Sequence, residues 1–254
     1  MRYEKIDLNS IRKICLKYSK NPKFAFNIKS NLCWNRYKKQ VVYLAKLIPK
    51  NATALEAGCG QGICSTMLRK LRPDISIKAI ELYPYGDADS KYKYWSEFKK
   101  LGVKFQIDNA ESMKFKNNTF DVVFCFGVIE HLNAEKFLSE AYRVLKKDGQ
   151  LFIFNIPNKY SIAEYMSKKI KIYFHPKKYT TNEIKNLIED NGFKIISIRR
   201  RFVIPSQLNM LGGRAARFSN SSYKFLDKLD ILLIKIPFIN YFSQSIELYA
   251  RKSK

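Results

Sequence analysis

The sequence is poor in several things that would each point to a definite class of protein. Its five cysteines never form a C-x-x-C pair. The irregular spacing of Cys15, Cys33, Cys59, Cys64 and Cys125 suits neither a disulfide framework nor a zinc site, so they are read as reduced, buried small residues. The opening MRYEKIDLNS lacks the apolar stretch of a secretory signal. The longest apolar run, near the C-terminus, is broken by Lys235 and Pro237 well short of a bilayer span, and a cytoplasmic location is expected. Internal repeats and low-complexity tracts are absent. Acidic residues are scarce, 22 against 47 lysines and arginines, for a net charge of +25.

What is present suits one large α/β domain with its own core: 254 residues, 46% of them apolar and 14% aromatic. The positive charge implies attraction to an acidic partner such as RNA, anionic lipid or a phosphorylated acceptor, or else only a solvated lysine-rich surface. It is densest at the end, where residues 168–254 carry 18 basic and 6 acidic side chains.

Hydrophobic periodicity divides the chain. The first 50 residues read as helices, with Val41, Val42, Leu44, Ala45, Leu47 and Ile48 at helical spacing before Pro49 stops the pattern. Ala52 to Ala57 is a short apolar strand that runs into Gly58-Cys59-Gly60-Gln61-Gly62, and Ile63 to Leu71 resumes as a helix. Further strands are read at Ser76–Glu81, Val103–Ile107 and Phe120–Phe126, the last (FDVVFCF) nearly continuous in apolar residues, as a parallel strand buried on both faces should be. Glu135–Leu145 is an amphipathic helix, Lys147-Asp148-Gly149 a turn, and Gln150–Asn155 a fifth strand. Thr180-Thr181-Asn182-Glu183 carries a capping box for a helix that ends at Gly192. Lys194–Val203 reads as a sixth strand and Ser245–Ala250 as a last one. Such alternation predicts a doubly wound sheet.

The glycine cluster lets a ligand approach the backbone at 58, 60 and 62, and the helix that follows offers amide donors. A dinucleotide fingerprint G-x-G-x-x-G would require glycine at 63, where Ile63 stands. With Glu56 leading the loop, that departure argues against a pyrophosphate and for a cationic ligand end. Glu81, 25 positions on at the end of the second strand, is placed to accept both hydroxyls of a ribose.

In order, LEAGCGQG, Glu81, NAESMKF, FDVVFCFGVIEHL and RVLKKDGQLFIFNIPN resemble the motifs of class I S-adenosylmethionine (SAM)-dependent methyltransferases over about residues 40–203. Within that superfamily they are most similar to the broad group that includes the ubiquinone and menaquinone methyltransferases. The resemblance implies a Rossmann-like, mostly parallel seven-stranded sheet with an antiparallel last strand. It also implies one domain in four parts: a helical segment 1–50, a cofactor-binding core 51–203, a helical insertion or lid 204–244, and a last strand and tail 245–254.

The cofactor implied is SAM. Glu56 belongs to the network holding the loop and the methionine end, with Gly58, Cys59, Gly60 and Gly62. Glu81 and Leu82 follow at the ribose. Asp108, Asn109 and Ala110 lie at the adenine, and either Asp108 or Asn109 accepts its amino group. Phe126, at the end of the fourth strand, is counted with the cofactor-binding residues, and the segment that follows it lies beneath the cofactor and beside the acceptor. His131 in Gly127-Val128-Ile129-Glu130-His131-Leu132 is the candidate general base for a hydroxyl or phenol acceptor, or else orients its loop. Ubiquinone O-methyltransferases carry a glutamate three positions before the Glu-His pair that helps form a metal site. Gly127 stands there, so no metal is expected. His175-Pro176 and Tyr179 either face the acceptor or pack a rigid loop. Lys146 and Lys147 are structural in this reading.

Residues 223–242 place Phe225, Leu229, Leu232, Leu233 and Ile236 on one helical face, with Lys224, Asp227, Lys228 and Lys235 off it. Three readings of the insertion stay open: a packed lid over the acceptor, an interfacial helix on an anionic membrane, or an RNA-binding surface. The acceptor is accordingly a small molecule or lipid-linked, with RNA methylation or a non-catalytic SAM-binding partner as alternatives.

Overall fold

The computed structural model describes residue 3 and residues 6–18, 28–82, 88–169, 175, 177–205 and 212–253. Two helices, α1 (Asn9–Tyr18) and α2 (Asn31–Leu47), precede an alternation of β1 (Thr53–Ala57), α3 (Ile63–Leu71), β2 (Ser76–Glu81), α4 (Ala88–Lys99) and β3 (Val103–Ile107). The chain continues through β4 (Phe120–Phe126), a single 3-10 turn at Ile129–His131, α5 (Ala134–Val144) and β5 (Leu145–Pro157). Then come α6 (Ile162–Lys169), α7 (Thr181–Asp190), β6 (Phe193–Arg201), α8 (Gly213–Ser221), α9 (Tyr223–Leu233), α10 (Pro237–Asn240) and β7 (Ser245–Lys252).

All seven strands form one sheet in the order β3-β2-β1-β4-β5-β7-β6. Pairing is parallel from β3 through β5, and β7 runs antiparallel to both neighbours. This is the expected Rossmann-like sheet with its antiparallel last strand. Alternate residues of a strand face opposite sides, so one strand serves two cores. Val122 and Phe124 of β4 join the layer of α1 to α4, while Val123 and Cys125 join that of α5 and α7. The order reverses between β1 and β4. A crevice therefore opens beyond the carboxyl ends of those two strands, where doubly wound sheets bind ligands.

Local chemistry accounts for most boundaries. Thr180 and Glu183 form a reciprocal capping box for α7, and Gly192 follows the helix at φ 83°. The expected turn at Lys147-Asp148-Gly149 is instead a bulge inside β5, which pairs from Leu145, shifts register and takes φ 60° at Asp148. Residues 223–242 divide at Ile234 to Ile236, with Pro237 restarting the chain as α10. No described helix is long and apolar enough to cross a membrane.

Candidate active site

At the end of β1 the chain turns through three glycines with positive φ. Gly62 caps α3 in the left-handed region, and a Cβ there would collide with the ring of Phe105. A Cβ at Gly60 would meet nothing within 4 Å, so this part of the loop borders open space. Glu56 lies beneath it, 2% exposed, accepting from the amide of Ser65 at 3.0 Å and from its hydroxyl. Burial pushes its carboxyl up to about 8 despite these bonds. Cys59 is buried, its amide donating to the carbonyl of Ile80 at 2.9 Å.

Glu81 ends β2 and reaches back over the loop: Oε2 accepts from the Gly60 amide at 2.7 Å, and Oε1 from the Leu82 amide at 3.0 Å. Beside it Leu82 is 38% exposed, and Ile107, paired with Glu81 across β2 and β3, is 52% exposed. Two bare aliphatic side chains at adjacent strand ends form an apolar shelf of the sort an adenine would cover. Trp95 of α4, which carries no sequence signal, closes the back of the cradle. Its indole donates to the Gly60 carbonyl at 3.2 Å and stacks on Phe105 at 5.1 Å.

Asp108 and Asn109 separate in role. Asp108 is buried and committed, accepting from the amides of Asn109 and Lys114 and from Gln106 Nε2. Asn109 is half-buried, its carbonyl accepting from the Glu111 amide at 2.8 Å. Ala110 is buried in the core cluster behind this turn.

On the other side of the crevice, Phe126 stacks on Phe154 of β5 at 4.4 Å. The 3-10 turn then buries Glu130, whose side chain is 1% exposed and whose two oxygens have no hydrogen-bond partner among the described residues. His131 Nε2 and His175 Nε2 face Oε1 of this carboxylate from 3.8 and 3.7 Å, just beyond bonding range. His175 is held by Glu164 of α6, which accepts from its amide and lies 2.8 Å from its Nδ1. Both histidines of the chain thus flank one buried acid. Burial raises Glu130 to about 7, and burial and the neighbouring His175 lower His131, which leaves His131 neutral and able to take a proton.

The sequence of this region has known counterparts. Residues 55–153, from β1 through β5, match the methyltransferase domain family. The chain is 28% identical over 142 residues to a probable S-adenosylmethionine-dependent methyltransferase of Mycolicibacterium smegmatis, covering 56% of this chain and 51% of that one. It is 31% identical over 110 residues to the ubiquinone biosynthesis O-methyltransferase of Pelagibacter ubique, covering 41% and 42%. Among solved structures, a putative methyltransferase from Bacillus halodurans superposes with a TM-score of 0.57 at 20% identity, covering 85% of this chain and 99% of that one. The chain spans about half the length of the curated relatives it matches.

SAM is the cofactor that this match implies, and the acids and open glycine at the ends of β1 and β2 suit it. The acid of Glu81, the apolar shelf of Leu82 and Ile107 and the open side of Gly60 lie side by side there. The remaining wall is polar. Gln40 of α2 donates to Asn155 Oδ1 at 2.7 Å and to Glu247 Oε1 at 2.8 Å, and Arg199 donates to Glu247 Oε2 at 2.7 Å. Among the described residues no three histidines, cysteines or acids are arranged to hold a metal ion. An open cleft of ≈ 490 Å³ between the start of α5 and Lys177 to Leu187 includes none of these loop residues.

Of the other sequence candidates, Tyr179 is buried, its amide donating to the Pro157 carbonyl, so it packs the loop. Pro176 lies outside the described residues. Lys146 binds Asp121 at 2.9 Å, a structural role. Sequence reasoning missed Glu164, Trp95 and Gln40. Only Glu164 had a retrievable signal, its position shortly before the second of just two histidines.

Proposed function

We propose that this chain is an active methyltransferase that moves the methyl group of SAM to an oxygen or nitrogen of a small-molecule or lipid-linked acceptor. The observation that carries this reading is the convergence of His131 and His175 on the buried Glu130 at the end of β4. Bound SAM supplies a methyl group on a sulfonium that is already a good leaving group, so holding the acceptor in line and dry provides most of the acceleration. What remains is the acceptor's proton. His131, kept neutral, takes it, and Glu130 with its two unpartnered oxygens stabilises the imidazolium. His175, anchored by Glu164, completes the polar wall. Glu56, Gly58, Cys59, Gly60, Gly62, Glu81, Leu82, Asn109, Ala110 and Phe126 form the cofactor side in this reading. Asp108, fully used by its own turn, shapes that turn.

RNA methylation is the second reading, and the net charge of +25 favours it. Incubating the protein with methyl-labelled SAM and separated small-molecule, lipid, RNA and protein fractions tests both. Label is expected in the small-molecule or lipid fraction. Label confined to RNA overturns the first reading, and SAM binding with no labelled fraction marks a non-catalytic partner protein.

A further inference from the structure

The insertion turns its charges and its apolar groups to unexpected sides. An ordinary surface helix buries an apolar stripe and exposes its charges. Helix α9 buries Leu226 but turns both of its acids to α2 as well: Asp227 pairs with Lys39, and Asp230 lies 3.6 Å from Arg36 and accepts from the Ile204 amide at 2.8 Å. Its exposed residues include Phe225 and Leu232, at 62% and 61%, with Lys228 between them and Lys224 just before. Just beyond, Ile236 is exposed and Phe238 is 76% exposed. From 212 to 241 five basic side chains are exposed, Arg214, Arg217, Lys224, Lys228 and Lys235, and no acid is.

A second patch of the same kind adjoins this one. Helix α6 exposes Ile162, Tyr165 and Met166 with Lys168 and Lys169. The patches meet where Tyr160 stacks on Tyr241 at 5.0 Å, beside Asn158, whose side chain donates to the Tyr241 carbonyl. The inward side of α6 supplies Glu164 to His175, so this rim adjoins the acceptor wall.

We propose that the rim formed by α6, α8, α9 and α10 is a docking surface for an anionic lipid bilayer. The acceptor of the proposed methyl transfer is then presented at that bilayer's surface, a step that rests on the function proposed above. Large apolar side chains interleaved with cations are what an interfacial helix uses: the chains enter the headgroup boundary while the cations meet lipid phosphates. A second copy of the chain would bring five cations against five. RNA would engage the cations but leave Leu232 and Ile236 without a partner. At eleven residues α9 lies along a bilayer and does not cross it.

Co-sedimentation of the full chain with phosphatidylcholine vesicles, with and without phosphatidylglycerol, tests the surface. Anionic vesicles are expected to bind at least about tenfold more tightly than neutral ones, and added salt to weaken them. A Phe225→Ser, Leu232→Ser, Phe238→Ser variant is expected to lose at least about tenfold in vesicle affinity while keeping its SAM affinity, which reports an intact fold. In a separate Phe225→Trp variant, emission should shift to the blue on anionic vesicles. Wild-type binding by the triple-serine variant, an unshifted emission from the Phe225→Trp variant, or retention on RNA without vesicle binding each overturns the docking surface. Vesicle binding needs neither cofactor nor turnover, so its failure leaves the methyl-transfer reading intact. Label confined to the water-soluble fraction, with vesicle binding present, overturns the bilayer-presented acceptor alone.

Discussion

The two walls of the crevice between β1 and β4 are built on different plans. On the β2 and β3 side, acids are answered by backbone amides: Glu81 by Gly60 and Leu82, Asp108 by Asn109 and Lys114. On the β4 and β5 side the side chains answer one another, as Gln40 does Asn155 and Glu247. Among the described residues a buried group there is left unanswered, both oxygens of Glu130. A buried polar group without a partner costs about 1–3 kcal/mol. In the function proposed above, the second substrate supplies the partner that Glu130 lacks, so one wall is finished before any ligand arrives and the other is finished by it.

The largest effect that would break this contrast is expected at the unfinished wall. His131→Gln should lower kcat by about 100-fold, the low end of what positioned acid-base groups contribute, with SAM affinity within about twofold of wild type. Glu164→Gln, which keeps the shape but removes the anchoring charge, should lower kcat less and shift the pH profile. Stopped-flow turnover beside calorimetric SAM binding separates the two quantities, and a parallel loss of SAM affinity would merge the walls into one site. At the finished wall, Glu81→Ala should weaken SAM by about 100-fold, the worth of two hydrogen bonds to a charged group, with circular dichroism unchanged. An unaltered dissociation constant would remove Glu81 from the cofactor site.

The same contrast governs what could be read in the sequence. The cofactor wall is written in contiguous segments, the glycine loop, the acid after β2 and the turn after β3, because strand-turn-helix units are local. The sheet followed for the same reason, with FDVVFCF legible as a strand buried on both faces. The acceptor wall depends on side chains that only the tertiary fold brings together, such as Glu130 with His175 or Gln40 with Glu247. In the insertion, periodicity grouped Phe225, Leu232 and Ile236 on one face but could not tell which face turns inward. Asp227 and Asp230, drawn to Lys39 and Arg36 of α2, decided that against the apolar stripe.

The smallest expected effect sharpens the finished wall, and it comes from Glu56. Burial holds its carboxyl at about 8, so at pH 7 the ligand-free protein keeps it mostly protonated. The cationic methionine end of SAM favours the carboxylate, so binding should release a proton. Affinity should therefore rise with pH from about 6 to about 8, by at most about tenfold per unit, and level off where the cofactor's own amino group begins to deprotonate. Stability runs the other way. A carboxyl raised above its unfolded value binds its proton more tightly when folded. Its stabilising contribution is full below the unfolded value and fades as pH rises through about 8, with Glu130, raised to about 7, acting in the same direction. The melting temperature of the ligand-free protein should fall between pH 5 and pH 8, and saturating SAM should flatten that fall. Glu56→Gln should abolish most of the pH dependence of SAM affinity and leave in the melting curve the slope due to Glu130. A Glu56→Gln protein whose SAM affinity still climbs with pH as in the wild type would show that the buried acid of β1 does not sense the cofactor's charge.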